Sequence, residues 1–317
     1  MKHLKMRIGV DIMGGDFAPE ATVSGAILAK EVLNSNVELI LIGDENKISN
    51  ILKEKGFVPN HFEIIHADQT IQNGENPAKA FTQKPWSSIK QGFALLEEGR
   101  INGFASAGNT GAMMVGAMYT IKPVAGILRP AITASVPQFD GDFATLLDVG
   151  INPDCKPDVL YQYGLVGSIY AKHVYHKENP RVGLINIGAE EEKGNLVVRS
   201  AYEMMKGTKS FNFIGNVEGN EIFDSKADVL VCDGFVGNII LKEAEALYKL
   251  LRKKGIKDEY FERFNFENIG GTPLLGVNGN IIIGHGISNH VAIKNMIIHT
   301  QYVIQANLSE KIKEAFQ

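Results

Sequence analysis

The stretch FASAGNTGAMM (104–114) decides how this chain is read. A short apolar run ends in Ser-Ala-Gly-Asn-Thr-Gly, and an apolar segment of helical character follows. Two glycines and three small polar residues at a strand-to-helix junction let backbone N–H groups turn toward one point. The first turn of a helix adds partial positive charge, so such junctions hold anions. The spacing matches neither the P-loop nor the dinucleotide fingerprint. A tight left-handed turn that needs glycine and binds nothing reads equally well from these eleven residues.

The same grammar recurs on either side. RIGVD (7–11), VELILIG (37–43), FEIIH (62–66), INGFAS (101–106), AITASV (131–136), FATLLDVG (143–150), RVGLINIG (181–188), DVLVCDG (228–234) and NIIIG (280–284) read as strands. Several are continuously apolar, the mark of strands covered on both faces. Helical patterns lie between them. Pro19 opens one, with Val23, Ala26, Ala29 and Leu33 on a face. Trp86, Ile89, Phe93 and Leu96 make a second, closed by Gly99. Ile240, Ala244, Leu247 and Leu251 make a third, ending near Gly255. Alternation of this kind predicts an α/β fold, a doubly wound and mostly parallel sheet in three α/β/α layers. At roughly 150 residues per domain, the 317 residues allow two domains or one large unit. With no repeat and no linker composition, a single unit over 1–317 is expected, 239–269 being a helical excursion.

Bulk properties narrow the function. Hydrophobic residues at 44% and charged residues at 21% are ordinary for a soluble globular protein. A net charge of −4 argues against a general nucleic-acid binder. Cys155 and Cys232 are far apart, which suggests a reducing compartment and no disulfide framework. No His, Cys or Asp spacing indicates a metal site, and no cofactor is expected. The start, MKHLKMRIGVD, lacks the apolar length of a signal peptide. No run reaches the ~18 apolar residues of a membrane span. A cytoplasmic protein is expected.

In doubly wound sheets ligands sit beyond the carboxyl ends of the strands. Glycine-bearing polar clusters fall at five such ends: DIMGGD, SAGNTGA, DVGIN, NIGAEEEKGN and DGFVGN. They are expected to converge on one rim.

Here the residues become a family. DIMGGDFAPE (11–20), SAGNTGA (106–112), LLDVGINPDCKP (146–157), NIGAEEEKGN (186–195), DGFVGN (233–238), GGTPLLGV (270–277) and HGIS (285–288) span nearly the whole chain. In these motifs and their order it closely resembles the bacterial acyl-[acyl-carrier-protein]:phosphate acyltransferases of phospholipid synthesis. The resemblance implies transfer of a fatty acyl group from acyl carrier protein to inorganic phosphate. The acyl phosphate would then serve a membrane glycerol-3-phosphate acyltransferase. It also implies a homodimer and a fold related to phosphotransacetylases and the isocitrate dehydrogenase-like group. The chain departs from the family pattern at Ile151, where alanine is usual, and at Ile287, which separates HG from Ser288. Its excursion at 239–269 is short and rich in charge, so membrane contact is expected to be weak and peripheral.

Phosphate is itself a nucleophile, so this chemistry requires no enzymic one. No Gly-x-Ser-x-Gly elbow occurs, and neither cysteine has an evident activating partner. Lys193 is the leading candidate to neutralise phosphate or the developing oxyanion; a solvated lysine beside Glu190, Glu191 and Glu192 is the plain alternative. Asn109, Asp233 and His285 are the other catalytic candidates. His285 is flanked by two glycines and can protonate the leaving thiolate or contact phosphate. Gly14, Gly15, Ser106, Gly108, Asn109, Thr110, Gly111, Asn186, Gly188 and Asn238 are expected around phosphate, with Thr110 reading equally as a helix N-cap. Asp11, Asp16 and Asp233 serve as acceptors or as plain turn and cap residues. Met113, Met114 and Met118 suit a variable acyl chain or the core. Lys249, Arg252, Lys253 and Lys254 offer a docking patch to an acidic carrier protein, or simply complement a helix C-terminus. The competing activity, a nicotinamide-dependent dehydrogenase on a related fold, would need a nucleotide site and usually a carboxylate metal cluster.

Overall fold

The early apolar runs form β1 (Met6–Asp11), β2 (Val37–Gly43), β3 (Glu63–His66) and β4 (Gly103–Ser106). These belong to a computed structural model that describes residues 5–58 and 61–317. The first four residues of the stretch read above for a signal peptide lie outside the described residues. The four strands run parallel in the order β3-β2-β1-β4. Parallel to β4 lies β11 (Asn280–Gly284), followed by the antiparallel β10 (Gly271–Leu275). These strands belong to the first of two units, Met1–Pro123 with Phe266–Asn307.

Side-chain alternation sets the layers of this unit. Neighbours in a strand face opposite ways. A Cβ at Gly103 would meet Thr300 and Ile304 of α11 (His290–Gln305). The next side chain, Phe104, packs edge-on against Phe93 of α4 (Ser88–Glu97), ring centres 5.2 Å apart. Helices thus cover both faces. On the first face α1 (Glu20–Val32) lies against α11, with Gly25 placed where any Cβ would collide with Ile293. The expected apolar face of α1 is present, with Val23, Ala26 and Ala29 fully buried. In α4, Ile89 and Phe93 are buried, but Trp86 precedes the Ser87 cap and is exposed.

The second unit is Val124–Asn265 with Leu308–Gln317. It contains β5 (Ala131–Pro137), β6 (Phe143–Leu147), β7 (Arg181–Asn186), β8 (Asn212–Glu218) and β9 (Val229–Val231). Their order is β5-β6-β9-β7-β8, and β5 is the antiparallel member. The crossover α6 (Pro157–Val174) links β6 to β7 and comes close through Gly167, where a Cβ would lie 2.5 Å from Val229. Next come α7 (Leu196–Met205) and the long α8 (Gly234–Lys253). The stripe Ile240, Ala244, Leu247 and Leu251 on α8 is not swallowed by the core. Ala244, Leu247 and Leu251 instead border an apolar cavity of about 160 Å³ with Phe139, Tyr260 and Phe264. No helix among the described residues is long and apolar enough to cross a membrane.

Candidate active site

At the carboxyl end of β1 the chain turns through Met13, Gly14 and Gly15. Asp11 is wholly buried. Its Oδ1 accepts the Met13 N–H at 3.0 Å, and its Oδ2 accepts the Ser106 hydroxyl at 2.6 Å. Burial pushes this carboxyl up from its ordinary value, against the pull of those bonds. Ser106 Oγ also accepts the Gly108 N–H at 3.0 Å. Gly14 packs on the group so closely that a Cβ would strike Asp11 Oδ2 and the Gly108 backbone. Gly15 has φ +109°, which glycine adopts without strain. The Asp16 N–H then reaches Gly286 O at 2.7 Å. DIMGGD, SAGNTGA and HGIS therefore form one cluster within this unit. His285, half-buried, lies 5.2 Å from the Phe266 ring, and its Nδ1 accepts the Ile287 N–H at 3.4 Å.

The expectations at Ser106, Asn109, Thr110 and Gly111 are corrected. Ser106 is fully buried and its hydroxyl belongs to Asp11, so it offers nothing to a ligand. Asn109 is the N-cap of α5 (Thr110–Gly116), its Oδ1 accepting the Ala112 N–H at 2.9 Å. Its Nδ2 donates to Gln72 O at 2.9 Å and Asn73 O at 3.3 Å. The whole amide is committed to holding loop 72–75 against the glycine turn, and Thr110 is the first helical residue rather than the cap. Gly111 is a packing glycine, because a Cβ there would strike Pro77.

In the second unit the counterpart of Asp11 is Asp148, which the sequence reading passed over. It too is wholly buried, directly after β6. Ile132 N–H meets its Oδ1 at 3.1 Å. Ile151 N–H, Asn152 N–H and Asn152 Nδ2 meet its Oδ2 at 3.2, 2.6 and 3.1 Å. Burial pushes this carboxyl up as well, and the bonds from Asn152 and Ile132 oppose it. Asn152 O accepts the Gly234 N–H at 2.8 Å, which ties DVGIN to DGFVGN. Asp233 fills its capping alternative, accepting the Val236 N–H at 2.8 Å. A Cβ at Gly234 would lie 2.7 Å from Asp148 Oδ2, and one at Gly237 would overlap Asp148 O. Asn238 is exposed and its amide lies beside Gly150, whose φ is +139°. The signal for Asp148 was present: like Asp11, it is an acid at the end of an apolar run, with a glycine two or three positions further on.

The loop after β7 closes on itself. Asn186 Oδ1 accepts the Ile187 N–H at 2.8 Å, and its Nδ2 donates to Lys193 O at 3.1 Å. Gly194, at φ +91°, passes so near that a Cβ would lie 2.5 Å from Asn186 Oδ1. Asn186 is thus a loop clasp rather than the expected phosphate ligand. The clasp leaves Lys193 exposed, its stem crossing Gly188, while Glu191 pairs with Lys206.

The remaining candidates divide. Met113 is fully buried in the first unit, which corrects its acyl-chain assignment; Met114 is half-buried and Met118 exposed. In the basic turn, Arg252 pairs with Glu262 at 2.7 Å, whereas Lys249, Lys253 and Lys254 are exposed. Both thiols are disarmed. Burial pushes Cys155 up to about 11 and Cys232 well above its ordinary value.

Comparison with known proteins places this arrangement. A family model described as fatty acid synthesis protein matches residues 6–311. Phosphate acyltransferases from Endomicrobium trichonymphae and Dictyoglomus turgidum are 42% and 39% identical, with 98% of this chain and 97% of each relative covered. A phosphotransacetylase from Streptococcus pyogenes shares the fold, with a TM-score of 0.67 over 94% of both chains at 18% identity. The EutD phosphotransacetylase from Staphylococcus aureus does so with a TM-score of 0.63 over 94% of both chains at 16% identity. With two buried strand-end acids organising its glycine loops, the chain belongs to the phosphate acyltransferase family.

Proposed function

We propose that this enzyme transfers a fatty acyl group from acyl carrier protein to inorganic phosphate, for phospholipid synthesis. The observation that carries the mechanism is the state of its nucleophiles. Cys155 and Cys232 are buried and held as thiols, and the Ser106 hydroxyl is bound to Asp11. Phosphate oxygen therefore attacks the thioester carbonyl itself. The C–O bond forms, the C–S bond breaks, and the pantetheine sulfur leaves as thiolate and takes a proton. Lys193 supplies positive charge to the phosphate or the oxyanion, and Asn238 a side-chain amide. Holding phosphate beside the carbonyl lowers the entropic part of the barrier. His285 is the candidate proton donor. The exposed lysines near the end of α8 receive the acidic carrier protein, the working form is a homodimer, and the product passes to a membrane glycerol-3-phosphate acyltransferase. The nicotinamide-dependent alternative gives way to the family.

The test is direct. Purified enzyme with palmitoyl carrier protein and phosphate is trapped with hydroxylamine. Above the enzyme-free background that hydroxylamine draws directly from the thioester, hydroxamate is expected when phosphate is present and not when it is omitted. Enzyme-dependent hydroxamate without phosphate would mean an acyl-enzyme and would overturn direct attack.

A further inference from the structure

In the second unit one carbonyl links Lys193 to a buried side chain two elements away. Glu190 O accepts the Lys193 N–H at 3.2 Å, which closes a turn over Glu190, Glu191, Glu192 and Lys193. The same oxygen accepts Nδ2 of Asn216 on β8 at 2.8 Å. The carbonyl of Lys193 is held in turn by Asn186 Nδ2 at 3.1 Å. Left to itself this turn is weak. Three successive glutamates repel one another, and among the described residues only Glu191 of the three has an ion-pair partner, Lys206.

Asn216 reaches that carbonyl through an irregularity in its strand. Val182 pairs with Phe213 and Gly183 with Gly215, so Ile214 is an extra residue, and Gly215 takes φ +95°. Val182 and Leu184 point to one face of the sheet, and so do their partners Phe213 and Asn216. Without the extra residue those two would point to opposite faces. The shared face is that of α7, where the Phe213 ring lies 5.2 Å from Tyr202, and the loop that carries Lys193 leads into α7. Bulges that re-aim a side chain in this way are over-represented beside active sites.

The amide costs the fold something. Asn216 is 3% exposed, and its Oδ1, also buried, has no hydrogen-bond partner among the described residues. An unpaired buried acceptor lowers stability. A leucine would avoid that cost. What an amide supplies and a leucine does not is the donor to Glu190 O.

We propose that Asn216 is a positioning residue for the reaction: through Glu190 O it fixes the turn that presents Lys193. The proposal rests on the reading above, in which Lys193 supplies positive charge to the phosphate or the oxyanion. It requires that Asn216 affect turnover through Lys193 and by no other route.

The test is a double-mutant cycle on acyl phosphate formation from palmitoyl carrier protein, with Asn216→Leu, Lys193→Ala and the two combined. Asn216→Leu should lower kcat/KM for phosphate by roughly 10- to 100-fold, the scale of a misplaced catalytic group, with a Tm at or above that of wild type. In the Lys193→Ala background the same change should cost less than about 2-fold. Asn216→Ala removes the amide without adding bulk and should lose activity in the same way, which keeps the test valid if leucine does not pack. Hydrogen exchange gives a readout without turnover: in Asn216→Leu the amides of 187–195 should exchange faster, and those of β6 and β9 at the wild-type rate. An equal loss of activity in both backgrounds, or unchanged exchange at 187–195, overturns the positioning role while acyl transfer stands. Near-normal turnover of Lys193→Ala, or no acyl phosphate from wild-type enzyme, overturns the reading beneath it and the positioning role together.

Discussion

Asp11 and Ser106 meet across neighbouring strands at 2.6 Å, both fully buried, and the Ser106 oxygen holds the Gly108 N–H at 3.0 Å. One acid thus fixes two glycine turns. Because burial raises its folded-state pKa, the folded chain binds this proton more tightly than the unfolded chain. Its contribution is fully present below the unfolded carboxyl's pKa and declines as pH rises through the folded value. An asparagine at this position can donate to Ser106 Oγ instead and does not titrate. Subtracting the urea-derived stability of Asp11→Asn from that of wild type, pH by pH, should give a difference that falls with rising pH across this window. A flat difference would show that Asp11 titrates alike in both states.

Asn109 uses one oxygen to cap α5 and one nitrogen to hold loop 72–75. Removing both should cost about 2–3 kcal/mol. Urea unfolding of Asn109→Ala measures this, and limited proteolysis should cut near Gln72 sooner than in wild type.

Gly237 faces the carbonyl of Asp148 with no room for a methyl group. The Gly234 N–H to Asn152 O bond at 2.8 Å keeps the two segments from parting. Gly237→Ala should therefore lose about 3 kcal/mol or more. The matched control is Gly219→Ala, where a Cβ meets nothing within 4 Å and the change should stay within about 0.5 kcal/mol. Similar losses at both positions would remove the steric explanation.

Lys193→Ala should lower turnover by on the order of 100-fold, the usual loss for a charge stabiliser, with thermal unfolding unchanged because the side chain is exposed. Near-normal turnover would take Lys193 out of the chemistry.

Glutamate at Lys249, Lys253 and Lys254 should raise the KM for acyl carrier protein and leave phosphate dependence alone. Arg252 is kept, since its ion pair with Glu262 belongs to the fold. Wild-type enzyme should remain in the supernatant when spun with anionic liposomes at physiological salt. Co-sedimentation lost in the triple variant would assign the lysines to lipid.

Nine strands announced themselves as apolar runs, and two did not. β8 carries Asn212, Gly215 and Asn216 and lies at the end of its strand order, where it needs less burial. β10 carries Pro273, a strand-breaking residue seated in an antiparallel pair with β11. Glycine turns were readable because only glycine permits the close approaches at Gly14 and Gly237. The asparagines were misread because an amide that caps a helix or clasps a loop has the same donors and acceptors as one that binds a ligand. Asn109 and Asn186 differ from Asn238 in what lies near them, which a lone sequence does not encode. Asp148 does not stand out in the sequence because a buried acid just past a strand is written in the same letters as an ordinary turn aspartate.

The pairing of β4 with β11 has a consequence for synthesis on the ribosome. The Asn280 amide donates to the carbonyl of Asn102, 178 positions earlier in the chain. At translation rates of about 5–20 residues per second, β4 waits on the order of 10–40 seconds for its partner strand. Through that interval its open side presents unpaired N–H and C=O groups beside apolar residues, a template for pairing with other nascent chains. α1 waits still longer for α11. The newborn chain is most exposed to aggregation just then, so slower elongation between residues 107 and 280 should raise its demand for chaperones.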